Sequence, residues 1–266
     1  MNVKQVVDKM IEACDTPLLE KTCDLLMAGD WNCEVTGMVT TFMATVDVIR
    51  EAISRGANLI ITHEPTYFTG LDSTEWLQND EIYLAKLKLI KQNNINIWRF
   101  HDHMHMTTPD LIFKGIDIDL GWSSYKDIES RHCYTIPKTT VKELTNFLKQ
   151  ALDVKMARIV GDVDAKVERV AFLGGGGSLG LGREEMPAEL MREANLDALI
   201  CGDITEWTTS AYVRDASQLG FIKSMIILGH NRTEEAGMKY LPDWLRGLLP
   251  EIPVSFVEAG EPFSYL

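Results

Sequence analysis

Short apolar runs rich in β-branched residues alternate with longer amphipathic patterns along most of this 266-residue chain, and this alternation restricts the fold more than any other feature. In the first half, strand-like runs at 35–43, 58–62 and 95–100 are separated by helical patterns at 46–56 and 80–94. A β-α-β-α-β order predicts a largely parallel sheet with helices packed against it.

A second cycle of the same kind begins near residue 129 and continues to the end of the chain. Strand-like and helical patterns again alternate, so we expect a second α/β lobe. The pattern alone leaves the boundary between the lobes open. The segments concerned are strand-like runs at 132–137, 157–162, 168–174, 197–202, 223–228 and 254–260, and helical patterns at 139–152, 184–195, 205–220 and from about 233.

Composition narrows the classes of function. The net charge of −13 repels phosphate backbones, so we expect no nucleic-acid partner. Five cysteines, an odd number without a CxxC pair, argue against a disulfide framework or a zinc ribbon and favour a reducing compartment. The N-terminus lacks the features of a signal peptide, and no apolar stretch approaches the roughly 20 residues that span a bilayer. We expect a cytoplasmic protein without a membrane partner.

Five of the six histidines follow directly on strand-like runs. His63 follows NLIIT, His230 follows KSMIILG, and the three histidines of HDHMHM (101–106) follow INIWRF. Loops at the carboxyl ends of parallel strands share the edge of the sheet where ligands bind, which predicts a metal site. If the strand continued through HDHMHM, its histidines would share one face and Asp102 would face away. We interpret the sixth histidine, His132, as structural. The histidines of HDHMHM are His101, His103 and His105.

Two carboxylates strengthen the metal hypothesis. Glu64 is adjacent to His63, and Pro65 favours an extended backbone in which the two side chains diverge toward different ions. Glu234 lies four residues after His230, on the same face of a helix that begins there. A mixed nitrogen and oxygen set suits Zn, Fe, Mn or Co. The alternative for Glu234 is a simple stabilising charge at a helix N-terminus.

The glycine run at 174–177 and the segment 202–207 also follow strand-like runs. The glycines could cradle phosphate or could leave room for another part of the chain. Asp203 and Glu206 are candidate general bases, although Asp203 or Thr205 could instead cap the next helix. Because no GxSxG motif and no cysteine nucleophile motif occurs, water activated by a metal is the favoured nucleophile.

Five segments together resemble the successive motifs of the Nif-three-like, or dinuclear metal centre, proteins, some of which are named GTP cyclohydrolase I type 2. The resemblance implies an α/β fold of two lobes with similar topology, the second inserted into the first. Residues 1–128 with 224–266 would form the metal-binding lobe, and residues 129–223 the inserted lobe. The segments are VTGMVTTFMATVDVIREAISRGANLIITHEPTYF, WRFHDHMHM, VERVAFLGGGGSLG, LDALICGDITEW and IILGHNRTEEAG.

The same resemblance implies a dinuclear divalent metal site between the lobes, with two ions per chain, and a homo-oligomer that is often a hexameric ring. Two positions depart from the family pattern, because Glu64 stands where the family has a second histidine and His105 where it has an aspartate. Glu234 then remains as a candidate bridge between the ions. The implied ligands are His63, Glu64, His105, His230 and Glu234, to which the spacing adds His101 and His103.

These ligands favour a metal-dependent hydrolase that acts on a small nucleotide-like, amide or phosphoester substrate. A non-catalytic metal-binding or regulatory protein would carry the same ligands. A TIM-barrel amidohydrolase also has an HxH after a strand, but that motif would follow its first strand, whereas His63 precedes the HxHxH here.

Overall fold

The computed structural model describes residues 1–128, 130 and 132–266, so residue 129, the predicted start of the inserted lobe, lies outside them. The chain forms two compact units. The first comprises Met1–Gly115 and Gly237–Gly260, and the second Ile116–Ala236 and Glu261–Leu266. Each unit contains a five-stranded mixed sheet, which confirms the predicted fold class of two α/β lobes. The limits of these two compact units differ from those of the predicted lobes, 1–128 with 224–266 and 129–223. The predicted domain boundaries therefore stay a prediction.

The sheet of the first unit has the order β1-β4-β3-β2-β10. The four strands β4, β3, β2 and β10 run parallel, and β1 pairs antiparallel with β4 at one edge. Its strands are β1 (Leu26–Ala28), β2 (Met38–Thr41), β3 (Leu59–Thr62), β4 (Asn96–Arg99) and β10 (Val254–Phe256). Its helices are α1 (Val3–Ala13), α2 (Val46–Ser54), α3 (Glu81–Gln92) and α4 (Asp102–Met106), with a 3₁₀ turn at Glu75–Leu77.

Strands β2, β3 and β4 are buried at every residue, which explains why they read as continuous apolar runs rather than alternating ones. Local signals begin the helices beside them. The side chain of Thr45 accepts a hydrogen bond from the first turn of α2, and that of Asp80 does so for α3. Ile49 of α2 and Ile90 of α3 are fully buried in the same core as the strands.

The sheet of the second unit has the order β5-β7-β8-β9-β6, with β7, β8 and β9 parallel and both edge strands antiparallel. Its strands are β5 (Cys133–Thr140), β6 (Arg158–Val160), β7 (Lys166–Leu173), β8 (Ala198–Cys201) and β9 (Ser224–Ile227). Its helices are α6 (Val141–Ala151), α7 (Met186–Glu193) and α8 (Thr209–Gln218), with a 3₁₀ turn at Gly175–Leu179. Helices α5 (Leu111–Leu120) and α9 (His230–Leu248) each contribute residues to both units.

The chain forms two open five-stranded sheets, whereas a TIM barrel is a single closed barrel of eight strands. The TIM-barrel alternative was therefore wrong. All five cysteines are free thiols. None of the helices within the described part of the chain combines the length and the apolar composition needed to cross a bilayer.

Candidate metal-binding clusters

The carboxyl ends of β3 and β4 bring two histidines together in the first unit. The two strands pair in parallel with Thr62 opposite Arg99, so the residues that follow them emerge at one edge of the sheet. His63 lies in the bend after β3, and His101 lies just beyond β4. Their rings stack with centroids 4.5 Å apart.

His105 completes a group of three, which we name the imidazole cluster (His63, His101 and His105). Its ring centroid lies 5.0 Å from that of His63 and 4.9 Å from that of His101. One ring nitrogen from each of the three histidines lies within 4.8 Å of the others. Imidazole nitrogens that close converge on the space that one transition-metal ion occupies.

Each ring of the imidazole cluster directs Nδ1 to an oxygen that can only accept a hydrogen bond. His63 Nδ1 lies 3.2 Å from the carbonyl oxygen of Phe100. His101 Nδ1 lies 2.9 Å from Asp102 Oδ1, and His105 Nδ1 lies 3.0 Å from Asp110 Oδ2. Each Nδ1 therefore carries a proton, and Nε2 is the nitrogen that can bind a metal. The same backbone or carboxylate partner is typical of metal-ligating histidines.

The segment HDHMHM forms helix α4 and does not continue β4, so the expected strand with three histidines on one face was wrong. The side chain of Asp24 accepts hydrogen bonds from the backbone N–H groups of His101, Asp102 and His103, at 2.6, 2.8 and 2.9 Å. These bonds satisfy the first donors of the helix. His101 and His105 then lie one helical turn apart, on the same face.

His103 lies midway between His101 and His105 along α4, so it points to a different face of the helix from those two histidines. It is buried, and its Nδ1 lies 2.6 Å from Asp24 Oδ2. Asp24 thus supports both the start of α4 and the ring of His103. This contact favours a structural role for His103, although its assignment as a ligand stays a prediction.

Asp102 faces back toward the segment before β1 and orients His101. Its carboxylate accepts hydrogen bonds from Thr22 Oγ1 at 2.9 Å and from the amide of Cys23 at 3.0 Å. Partial burial works to raise the pKa of Asp102, but the hydrogen bonds from Cys23, His101 and Thr22 outweigh it and hold the pKa well below its usual range. Burial raises the pKa of Cys23 to about 12, so its thiol stays protonated and donates to Asp102.

Glu64 lies beside the imidazole cluster and is held by Arg99. Arg99 is buried and donates to Glu64 Oε2 at 3.2 Å, and to the carbonyl oxygens of His63 at 3.1 Å and Gly70 at 2.8 Å. Glu64 Oε1 lies 3.8 Å from His101 Nε2. The backbone bends here, and a ligand atom of Glu64 lies within 4.8 Å of one of His63, so the two side chains do not diverge as expected.

The second unit has its own group of polar side chains at the edge of a parallel sheet, which we name the His230 cluster (Asp203, His230 and Glu234). Strands β7, β8 and β9 end together at Leu173, Cys201 and Ile227. His230 Nδ1 lies 2.7 Å from Asp203 Oδ2, and His230 Nε2 lies 3.0 Å from Glu234 Oε2.

This geometry suits a cation. A neutral imidazole can donate from only one of its nitrogens, yet both nitrogens of His230 face a carboxylate. A cation held between His230 Nε2 and Glu234 would satisfy both atoms. A divalent ion there would bind Nε2 and the carboxylate, while Asp203 would keep the proton on Nδ1.

The glycine run makes room for the His230 cluster. A Cβ atom on Gly175 would overlap Glu234 Oε1 and would lie 2.7 Å from His230 Nε2, and the φ of Gly175 is +51°. The amide of Gly175 donates to Thr233 Oγ1 at 2.9 Å. A Cβ on Gly202 would lie 2.8 Å from the Cα of Gly175. Of the two interpretations of the glycines, close approach by the chain and by side chains matches these contacts.

The two candidate general bases differ. Asp203 is part of the His230 cluster, and its hydrogen bond to Nδ1 orients the imidazole. Glu206 is exposed and forms no hydrogen bond or ion pair with any residue that the structure describes. His132, which we interpreted as structural, is half-buried in the turn before β5, where its carbonyl oxygen accepts from the amide of Phe172 at 2.8 Å.

Sequence reasoning missed three residues that support the imidazole cluster: Asp24, Arg99 and Asp110. A signal existed for Asp110, because an aspartate directly before an apolar run is typical of a helix N-cap, and its Oδ1 accepts from the amides of Ile112 and Phe113. No local signal existed for Asp24, which lies 77 residues before His101.

Two α/β units, each with histidine and carboxylate side chains at the carboxyl edge of a parallel sheet, define a class of candidate metal-binding α/β proteins. Within that class, the chain belongs to the Duf34/NIF3 (NGG1p interacting factor 3) family, whose profile matches residues 1–262. This confirms the family resemblance found in the sequence.

Individual relatives of the same family match over most of this chain. A protein of Clostridium acetobutylicum named GTP cyclohydrolase 1 type 2 homolog is 26% identical over 242 residues, which cover 86% of this chain and 84% of the relative. The crystal structure of a Bacillus cereus protein related to NIF3 matches with a TM-score of 0.73 at 17% identity, covering 100% of this chain and 99% of that one. The crystal structure of Staphylococcus aureus protein SA1388 matches with a TM-score of 0.74 at 20% identity and the same coverage. These structures show the shared fold.

Proposed function

We propose that this chain binds two divalent ions of Zn, Fe, Mn or Co. It uses them to hydrolyse a small nucleotide-like, amide or phosphoester substrate. One observation carries the proposal: all three rings of the imidazole cluster hold their proton on Nδ1 through an acceptor-only oxygen, which leaves three Nε2 atoms for a metal. A nitrogen-rich set of this kind suits borderline transition metals rather than Ca or Mg.

The residues divide the work as follows. The imidazole cluster binds one ion, with Glu64 as an adjacent carboxylate, and His230 with Glu234 binds the other. When bound, such an ion acts as a Lewis acid and acidifies a bound water. Phe100, Asp102 and Asp110 orient the three imidazoles, Arg99 holds Glu64, and Asp203 or Glu206 accepts a proton as general base.

The name of the relatives supports a nucleotide-like substrate, since several are called GTP cyclohydrolase 1 type 2 homolog. The rival function is a non-catalytic metal-binding or regulatory protein, which would carry the same ligands.

Elemental analysis of the purified chain followed by a hydrolase screen tests the proposal. We expect about two equivalents of metal, and turnover of at least one nucleotide, amide or phosphoester substrate that is lost in His105→Ala. Metal bound in the same amount without any turnover would favour the regulatory alternative. A chain that takes up no transition metal would refute the proposal as a whole.

The family resemblance also supports a homo-oligomer, and we propose an assembly larger than a dimer. Sedimentation of a 30.0 kDa monomer at micromolar concentration would contradict it. Five free thiols support a cytoplasmic location, because reducing compartments preserve them.

A further inference from the structure

The first unit contains a cavity of about 450 Å³ that shares no residue with the imidazole cluster. It lies between β1 with the start of β4 on one side and helix α3 on the other. Asn96 begins β4 and lines the cavity, whereas His101 follows the end of that strand. Five residues of extended chain separate the two positions by about 16 Å. The volume falls within the range of pockets that hold small molecules, roughly 300–1,000 Å³.

Two buried tyrosines line this cavity, Tyr67 and Tyr83. Their exposed fractions are 2% and 8%, and their rings meet edge to face with centroids 5.2 Å apart. Neither phenol hydroxyl forms a hydrogen bond with any residue that the structure describes. Both hydroxyls remain accessible beside the cavity, because neither belongs to the fully buried polar atoms without a partner. A ligand in the cavity could therefore supply the hydrogen bond that the described chain does not.

The remaining lining defines the chemistry of that partner. Met27, Leu87, Ile90 and Ile95 provide apolar walls. The charged residues of the lining, Asp30 and Lys91, are both exposed to solvent. An ionic group inside such a cavity would lose its hydration without gaining a buried counter-charge from the residues that line it.

The phenols act as donors. Burial, with smaller effects from Tyr83 and Asp72, raises the pKa of Tyr67 to about 12, so this phenol stays protonated throughout the physiological range. A ligand therefore needs an acceptor atom that faces the two hydroxyls. Apolar walls beside a pair of aromatic rings favour an aromatic ligand, which is planar.

We propose that this cavity binds a small, uncharged, planar heteroaromatic molecule whose ring nitrogen or carbonyl oxygen accepts a hydrogen bond from Tyr67, Tyr83 or both. The site is independent of the proposed metal ions. It would give the chain a second small-molecule site, at the opposite end of β4 from the imidazole cluster.

Quinoxaline and naphthalene form a matched pair of probes, because they share a shape and differ only in the two ring nitrogens. Each is titrated into the full-length chain while methyl NMR signals of methionine, leucine and isoleucine are recorded. We expect quinoxaline to produce saturable shifts at Met27, Leu87, Ile90 and Ile95, and naphthalene to bind more weakly.

Four variants locate the site. Tyr67→Phe and Tyr83→Phe remove one hydroxyl each, and at least one of them should weaken quinoxaline binding about five-fold, which a net hydrogen bond is worth. Neither should weaken naphthalene binding. Leu87→Trp fills the cavity from α3 and should abolish binding of both probes. Leu84→Trp lies on the same helix at an exposed position and should leave binding unchanged.

The outcomes separate clearly. Quinoxaline that shifts no cavity signal at millimolar concentration overturns the proposal. Equal affinity for both probes, or quinoxaline binding unchanged in both Tyr→Phe variants, shows that the hydroxyls are not the recognition element and also overturns it. Binding lost in Leu84→Trp as much as in Leu87→Trp places the ligand elsewhere. Each variant's methyl spectrum checks that the core is intact.

Discussion

The imidazole cluster and the His230 cluster occupy equivalent places in their sheets, yet they hold their histidines differently. In the first unit three rings each have one oxygen partner at Nδ1. In the second unit a single ring lies between two carboxylates, Asp203 and Glu234. The same strand-end geometry therefore brings together three imidazoles in one unit, and one imidazole with two carboxylates in the other.

This difference decides how each cluster responds to substitution. The imidazole cluster is fixed by its hydrogen bonds in one tautomer, so its affinity for an ion depends on the number and orientation of nitrogens. The His230 cluster concentrates negative charge around one imidazole, so its affinity depends mainly on charge. Substitutions that change ligand number, charge or orientation separately can test this contrast.

Removal of a nitrogen ligand should have the largest effect. We expect His63→Ala to lower the affinity of the first unit's ion more than 100-fold, because two imidazoles remain of three and the loss of even an orienting partner costs 10–100-fold. Metal content by mass spectrometry after dialysis should fall by about one equivalent. His132→Ala is the control, since His132 lies outside both clusters. Equal metal loss in the two variants would contradict the cluster as a site.

Removal of a charge should affect the His230 cluster almost as strongly. We expect Glu234→Gln to reduce the metal content from about two equivalents to about one, because the amide keeps the shape of the side chain but not its charge. Glu235→Gln is the matched control: Glu235 is the next residue of α9, is equally buried, and pairs with Arg232 at 3.1 Å. Two equivalents retained in Glu234→Gln would refute the role of Glu234, and one equivalent in the wild type would show a mononuclear protein.

The two clusters also differ in how far they could be predicted from sequence. The sequence showed that buried parallel strands precede His63, His101 and His230. Such strands are continuous apolar runs, and a polar residue marks the end of each run. The order of strands and helices was visible for the same reason. The strand-like runs at 157–162 and 168–174 do form strands: β6 pairs with β9, and β7 lies between β5 and β8.

Contacts between distant residues could not be predicted. HDHMHM has the alternation of a strand, and it forms a helix because the carboxylate of Asp24, 77 residues earlier, accepts the first backbone donors. The interpretation of the glycine run stayed open because its cause is the approach of Glu234, 59 residues later. Periodicity records which faces are buried, but it does not record which distant side chain a backbone meets.

Loss of orientation should have an intermediate effect. Asp110 accepts from His105 through Oδ2 and caps α5 through Oδ1, so Asp110→Asn can keep the cap while its amide nitrogen can no longer accept from His105. We expect the first unit's metal affinity to fall by roughly 10-fold with little change in stability. Asp47→Asn, an exposed carboxylate on α2, controls for the change in net charge. An unchanged affinity in Asp110→Asn, measured by calorimetry, would show that the tautomer of His105 does not need this partner.

The smallest effect on metal affinity should come from a substitution in the glycine run beside the His230 cluster. The adjacent Gly175 and Gly176 allow a matched test. Gly175 has a φ of +51°, and a Cβ there would overlap Glu234 Oε1, so Gly175→Ala must both strain the backbone and displace the carboxylate. Gly176 has no atom within 4 Å of its Cβ position, so Gly176→Ala should change the free energy of unfolding by less than about 0.5 kcal/mol. For Gly175→Ala we expect the free energy of unfolding, measured in urea, to fall by about 2 kcal/mol. The affinity of the His230 cluster for its ion should fall a few-fold. If both variants lost the same stability, the glycine run would be a flexible connection, and the close approach of Glu234 would not be what requires glycine at position 175.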